Sequence, residues 1–426
     1  MFRVFGNAWK VADLRKKILF TIMVIVLYRV GSAIPVPYVN GDALAAQMET
    51  ASETLFGYFN MLSGYAFSQG TLFALGVSPY ITASIVMQLL TIAIPALERM
   101  SKNGPEGQAK ISTITRWVTV ALGVITGYGY YLTIKNTYTG FVADGWFPAV
   151  VIVATLTAGA SLVMWTGEQI DEKGIGNGIS MILFANIVSR GASLAATMYE
   201  LIKESLSNVV WVFVALVMML LIITLTVFFS NSERRLNVQY AKRQVGRKMY
   251  GGMSTHLPIK VLMSGVMPII FANAIVMMPA TLAMIFPSWE DGVEKWFSTS
   301  SQYPFYVIVM FILIVFFAYF YLSISFNPVE VANNLKKNGG TILGYRPGKP
   351  TADYIKKVVN RVTLMGSVFL SFMAIFPVLL AWTEQRALTY LVFGGTSMII
   401  LVSVALETTR QLESEITMRH YKGFLD

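Results

Sequence analysis

The chain has 426 residues, 55% of them hydrophobic and 13% charged, with a net charge of +10 and no cysteine. A soluble domain carries about 25% charged residues, so most of this chain faces something other than water, and the counting unit becomes about 20 apolar residues per membrane span. The missing cysteines exclude disulfides, thiol catalysis and Cys-based metal sites, and with His256 and His420 as the only histidines a His triad or multi-His metal centre is excluded too.

The N-terminal MFRVFGNAWKVADLRKK leads into an apolar segment at 18–36. It runs on into IPVPYVNGD without a small-residue cleavage site, so it is read as a retained first span. The stretch 37–71 contains Asp42, Glu49 and Glu53 but no Lys or Arg. Its later part, LFGYFNMLSGYAFSQGTL, is apolar yet interrupted by Gly57, Gly64 and Gly70. It is too short and Gly-rich to cross, and is expected to fold back into the bundle as a short re-entrant helix.

Further spans are predicted at 72–95, 117–134, 147–165, 175–188 and 209–229, then at 261–286, 303–326, 362–382 and 387–406. That makes ten. With the N-terminus inside, 27 of the 33 Lys and Arg fall in inside segments, five in outside loops, and Arg29 within the first span. Such a bias supports the span count and places both termini inside. The excess also attracts anionic lipid. Two inside loops, 230–260 and 327–361, hold seven Lys or Arg each, and a GYRPGKP turn in the second sets Arg346 at a loop tip. Loops of this length with internal Gly, Pro and aromatic residues build binding surfaces.

No internal sequence repeat stands out. Five plus five spans nevertheless insert odd-numbered halves in opposite orientations, the geometry of an inverted pair. The halves are 1–200 and 201–426, and the connection 189–208 is the expected hinge. The fold class is therefore an all-α integral membrane protein of ten transmembrane helices in two pseudo-symmetric inverted halves of five.

Arg29 is the exception among span interiors otherwise almost free of ionisable groups, with Glu168 and Glu407 at span edges. Ion-coupled transporters need intramembrane carboxylates or polar unwound sites, and charged filters need rings of charge. A small-solute secondary transporter is thus the weaker alternative to a passive conduit, and an intramembrane enzyme is weaker still. HExxH, GxSxG and P-loop patterns are absent. The GIGNG run at 174–178 has no strand before it and reads as a tight turn opening a helix.

Nine segments follow in order along the chain's length: RVGSAIPVP (29–37), FNMLSG (59–64), FALGVSPYITASIVMQLL (73–90), GEQIDEKGIGNGIS (167–180), YAKRQVGR (240–247), STHLPIKV (254–261), NPVEVANNLKKNGG (327–340), GYRPGKPTADYI (344–355) and FGGTS (393–397). In these the chain resembles the SecY family, the central subunits of the bacterial protein-translocation channel. The resemblance implies a non-catalytic conduit without cofactor or metal, in the cytoplasmic membrane of a bacterium. It implies partners as well: SecE, SecG, the SecA ATPase, the ribosome, and signal-sequence-bearing preproteins or nascent membrane proteins.

By the same resemblance, Val77, Ile81, Ile179, Leu183, Ile270 and Ile400 form an aliphatic pore ring. Val77 with Ile81 and Ile179 with Leu183 are i, i+4 pairs that share a helix face, and Ile270 is expected about ten residues into its span, roughly 15 Å deep. Phe59, Asn60, Leu62, Ser63 and Gly64 belong to a plug at about 55–71. Gln88, Asn273 and Met278 lie at a lateral gate between spans two and three and spans seven and eight. Arg243, Arg247, Lys248, Lys336, Lys337 and Arg346 form the docking surface for SecA and the ribosome.

Overall fold

The computed structural model describes residues 2–50, 60, 63–137, 140–143, 145–204, 206–240, 243–245, 248–250, 254–297, 304–381 and 386–422. The first helices are α1 (Phe2–Lys10), α2 (Ala12–Gly31), α3 (Gly41–Thr50), α4 (Ser78–Ala93), α5 (Pro95–Lys102), α6 (Gly104–Thr137), α7 (Trp146–Lys173), α8 (Gly178–Glu204) and α9 (Leu206–Asn231). Four strands follow: β1 (Glu233–Tyr240), β2 (Arg243–Val245), β3 (Lys248–Tyr250) and β4 (Ser254–Lys260). The chain ends with α10 (Met267–Val276), α11 (Met278–Ala283), α12 (Glu290–Phe297), α13 (Phe305–Ser325), α14 (Pro328–Lys337), strand β5 (Gly340–Ile342), α15 (Lys349–Ala381) and α16 (Arg386–Lys422).

Among the described residues, six helices are long and apolar enough to cross a membrane, or seven if α4 and α5, bent by 100°, are one span. The protein is a multi-pass helical membrane protein. Its outer surface agrees: Leu27, Val30, Val210, Phe213, Leu220 and Phe228 are 58–66% exposed, a surface that hydrocarbon covers without cost and water does not.

The bend between α4 and α5 has a local cause. Ile94 precedes Pro95 and is extended, with φ −106° and ψ 112°, as the proline ring requires of its predecessor. The predicted seventh span is also broken. Residues 261–266 are turns, α10 starts at Met267, and α11 restarts at Met278 with Pro279 in its first turn. Proline has no N–H to continue the helical ladder.

The predicted hinge at 189–208 is mostly helix, because α8 continues to Glu204 and α9 begins at Leu206. The stretch is rich in Ala, Leu, Met, Glu and Lys, good helix formers that are too polar to read as a span.

The largest apolar core draws on both ends of the chain, from Val77, Ile81 and Leu183 to Ile270, Ile314 and Ile400. Helix α4 packs on α6, α6 on α7, and α7 on α8; α10 packs on α13, α13 on α15, and α15 on α16. Among the described residues, α4 packs on α10, α8 on α16, α9 on both α8 and α16, and α6 on α11.

The two basic loops carry strands. Strand β1 pairs antiparallel with β4 from the first loop and with β5 from the second, giving the order β4-β1-β5. Leu236 and Val238 alternate with exposed neighbours along β1. They pack with Ile259, Ile342, Ile355 and Val359 in a separate core. Two loops far apart in sequence thus share one platform.

Candidate functional site: an apolar cavity at the helix starts

The site is built from two helix starts with the same local chemistry. Gly76-Val77-Ser78-Pro79 opens α4 and Gly265-Val266-Met267-Pro268 opens α10. Gly76 has φ +53° and Gly265 φ +58°, a left-handed conformation that glycine adopts without a Cβ penalty. The valines match as well: Val77 has φ −90° and ψ −9°, Val266 φ −92° and ψ −7°. Proline then occupies the first turn, where its missing N–H costs nothing. The first helical hydrogen bonds are equivalent, Ile81 N to Val77 O at 3.0 Å and Ile270 N to Val266 O at 3.2 Å. Ile81 and Ile270 therefore project from the first turns of two helices. Ile270 is not ten residues into a continuous helix, because the turns at 261–266 precede it. The G-V-x-P pair was present in the sequence as a four-residue signal, too short to register as a repeat.

Ile81, Leu183, Ile270 and Ile400 line a single cavity of about 270 Å³, together with Asn273, Met278 and Phe67. Its remaining lining includes Ser78, Thr82, Thr126 and Thr281 but no charged residue. Val77 and Ile179 do not line it. Val77 is buried in the same apolar cluster, and Ile179 packs against that cluster from the second residue of α8. Such a lining binds water weakly and opposes ions by dewetting.

Asn273 is 2% exposed on α10. Gln88 donates from Nε2 to Ser84 Oγ on its own helix at 3.3 Å, and Thr281 Oγ1 donates to the Met277 carbonyl at 3.1 Å. The Gln88 and Thr281 bonds are local, four residues back along the chain, and the cavity lining beside Asn273 is mainly apolar.

From the 55–71 segment, Phe67 reaches the cavity. Phe59 and Leu62 lie outside the described residues, so the expected helix at 55–71 is described only from Asn60 and 63 onward. Residues 64–70 are turns, and Ser63, Ala66 and Phe67 are 1% exposed. Asn60 and Ser63 organise it: Ser63 Oγ accepts from Phe67 N at 3.0 Å, and Asn60 Oδ1 from Ser68 N at 3.1 Å. Tyr130 Oη donates to the Phe67 carbonyl at 2.7 Å. The Arg190 guanidinium stands 5.2 Å from the Tyr65 ring centre, and Gly64 faces Arg29 and Asn186. Arg29, the charge in the first span, donates to the Ala185 carbonyl at 3.3 Å.

Sequence reasoning missed the partners of the GIGNG run. It does open α8, but it also ties α2 to α16. Ile175 N donates to Thr21 Oγ1 at 3.0 Å, and Gly176 N to Gln411 Oε1 at 3.0 Å. Lys17 pairs with Glu415 at 2.8 Å. Gly178 N donates to Asp171 Oδ1 at 2.7 Å. Gly176 has φ +84°, and a Cβ on Gly178 would collide with the Gly167 carbonyl oxygen.

On the platform, Arg346, Lys336 and Lys337 are exposed. Thr351 Oγ1 donates to the Arg346 carbonyl at 2.8 Å, and Tyr345 stacks on Tyr354 at 4.1 Å, which fixes the loop. Arg243 opens β2 and Lys248 opens β3, paired strands of a hairpin, whereas Arg247 lies outside the described residues. At the platform root, burial and the nearby Arg410 hold the Lys260 ammonium below its ordinary pKa, with Glu407 and Glu233 opposing.

The fold is that of a protein-conducting channel. It superimposes on a solved structure described as a protein conducting channel with a TM-score of 0.71, at 20% identity, covering 94% of this chain and 92% of that one. It matches Sec61 in the canine ribosome-channel complex with a TM-score of 0.67, at 19% identity over 94% and 92%. The chain itself belongs to the SecY family: the SecY family model matches residues 71–409. It is 43% identical over 441 residues to the protein translocase subunit SecY of Streptomyces galbus and 41% identical over 446 residues to that of Mycobacterium bovis, covering 100% of every chain.

Proposed function

We propose that this chain is the central channel subunit of a Sec translocon, a passive conduit for unfolded secretory polypeptides that also releases hydrophobic segments sideways into the bilayer. One observation carries the reading: four of the six expected ring residues, Ile81, Leu183, Ile270 and Ile400, line one uncharged cavity against the folded-back segment. An aliphatic ring makes no sequence-specific hydrogen bonds, so it can yield to a chain of any sequence yet oppose ions when empty. Val77 and Ile179 back the ring. The segment from Phe59 to Gly64 is the plug, and α4 and α6 against α10 and α13 form the lateral gate, with Gln88, Asn273 and Met278 along it.

The matched G-V-x-P starts support two inverted halves, 1–200 and 201–426, with ten crossings in all. In that arrangement α2, the broken α10–α11 pair and α16 count as spans, both termini are cytoplasmic, and the membrane is the cytoplasmic membrane of a bacterium. The chain carries no catalytic step. Energy comes from SecA or the ribosome, and SecE and SecG are companion subunits. Lys and Arg suit ribosomal phosphates, so Arg243, Arg247, Lys248, Lys336, Lys337 and Arg346 form the docking face.

Reconstitution with SecE, SecG, SecA and ATP in liposomes tests this reading. A signal-bearing preprotein is expected to become protease-protected inside. Arg346→Glu is expected to abolish that transport while the complex still assembles. Ion-gradient-driven uptake of a small solute without SecA would overturn the reading.

A further inference from the structure

The first helix has a wider apolar arc than its neighbour covers. Val4, Ala8 and Val11 belong to the cluster holding Leu412 and Ile416 of α16. Phe5 and Trp9 are one turn apart on an adjacent face, about 100° around the helix, and are 42% and 48% exposed. Lys10, Arg15 and Lys16 are exposed nearby, whereas Lys17 is already engaged by Glu415. On α2 the exposed apolar surface continues through Leu19, Met23, Val26 and Val30, 48–58% exposed.

We propose that α1 is an interfacial anchor for an anionic phospholipid surface. Phe5 and Trp9 sit at the boundary of headgroups and acyl chains, and Lys10, Arg15 and Lys16 meet the headgroup phosphates. Two features select lipid as the occupant. Apolar side chains are exposed both on α1 and on α2, which follows it directly, and the basic Lys10, Arg15 and Lys16 outnumber the one acidic residue among them, Asp13. Aromatic residues favour the membrane–water boundary, a helix with one apolar and one basic side lies in that plane, and anionic lipid attracts basic side chains beside a span. Because the other side of α1 is fixed to α16, the anchor holds the end of α16 and the GIGNG knot at the membrane surface.

The chain has no cysteine, and Gly6 has open space where a Cβ would stand, so Gly6→Cys allows a single nitroxide label. The labelled full chain is placed in nanodiscs of phosphatidylcholine alone or mixed with phosphatidylglycerol, and label exposure to an aqueous nickel chelate is read. With phosphatidylglycerol, exposure is expected to fall several-fold. Lys10→Gln, Arg15→Gln and Lys16→Gln together remove the dependence on lipid charge, and Phe5→Ser with Trp9→Ser exposes the label in both bilayers. Equal exposure in both lipids and in both variants overturns the proposal. So does shielding that appears only when SecE is added and ignores lipid charge, which would assign the face to a protein subunit.

Discussion

Helix α4 meets α10 through Ile81, Ile270 and the uncharged cavity between them, and its polar groups, such as Gln88, bond within their own helix. The start of α8 meets α2 and α16 through Thr21, Gln411 and the Lys17–Glu415 pair, which cross between helices. Both contacts join early and late parts of the chain. At the first, the Gln88 bond stays within α4, and inside a membrane the lipid tails that would replace the contact are as apolar as its aliphatic side chains. The second cannot separate without exposing unpaired backbone N–H groups, which cost about 1–3 kcal/mol each when buried. Separating the first contact would cost mainly apolar packing, and separating the second would cost hydrogen bonds between helices.

The harshest way to break this contrast is Gly178→Ala. Its Cβ would meet the Gly167 carbonyl, and neither backbone can give way easily. A loss of about 3 kcal/mol or more, at or above the usual range for overpacking, is expected. It is read as a lowered unfolding midpoint in detergent, and an unchanged midpoint would show that the knot is plastic. Next is a disulfide between cysteines introduced into α4 and α10, which is expected to block insertion of a signal sequence until it is reduced. Insertion at the normal rate under oxidising conditions would show that the gate lies elsewhere.

A milder effect follows from Ile81→Ser with Ile270→Ser. Hydroxyls at the ring wet the constriction, so ion conductance in planar bilayers is expected to rise several-fold, and an unchanged conductance would refute the seal. The smallest effect is Thr21→Val, which removes the acceptor for Ile175 N and is expected to cost about 1–3 kcal/mol with conductance unaltered. A conductance increase there would mean that the two contacts are coupled.

Most of the helical framework was legible in residue order alone. Runs of about 20 apolar residues mark the long apolar helices, because a bilayer sorts side chains by hydropathy without reference to distant neighbours. The broken seventh span was partly legible in Pro268 and Pro279. The helix through 189–204 was not, since its polar residues silence the hydropathy signal that marks a span.

The strand platform shows the opposite limit. The alternation of Leu236, Val238 and Tyr240 is only a short strand pattern, and it acquires meaning when β5, a hundred residues later, pairs beside it. The sequence by itself determined a membrane bundle, the aliphatic character of Ile81, Leu183, Ile270 and Ile400, and the basic loops. Only the tertiary structure decided that those four side chains share one cavity and that Thr21, Gly176 and Gln411 form a knot. Hydropathy is a property of each residue and can be read one segment at a time. A cavity or an inter-helix hydrogen bond is a property of segments that meet only when the chain is folded.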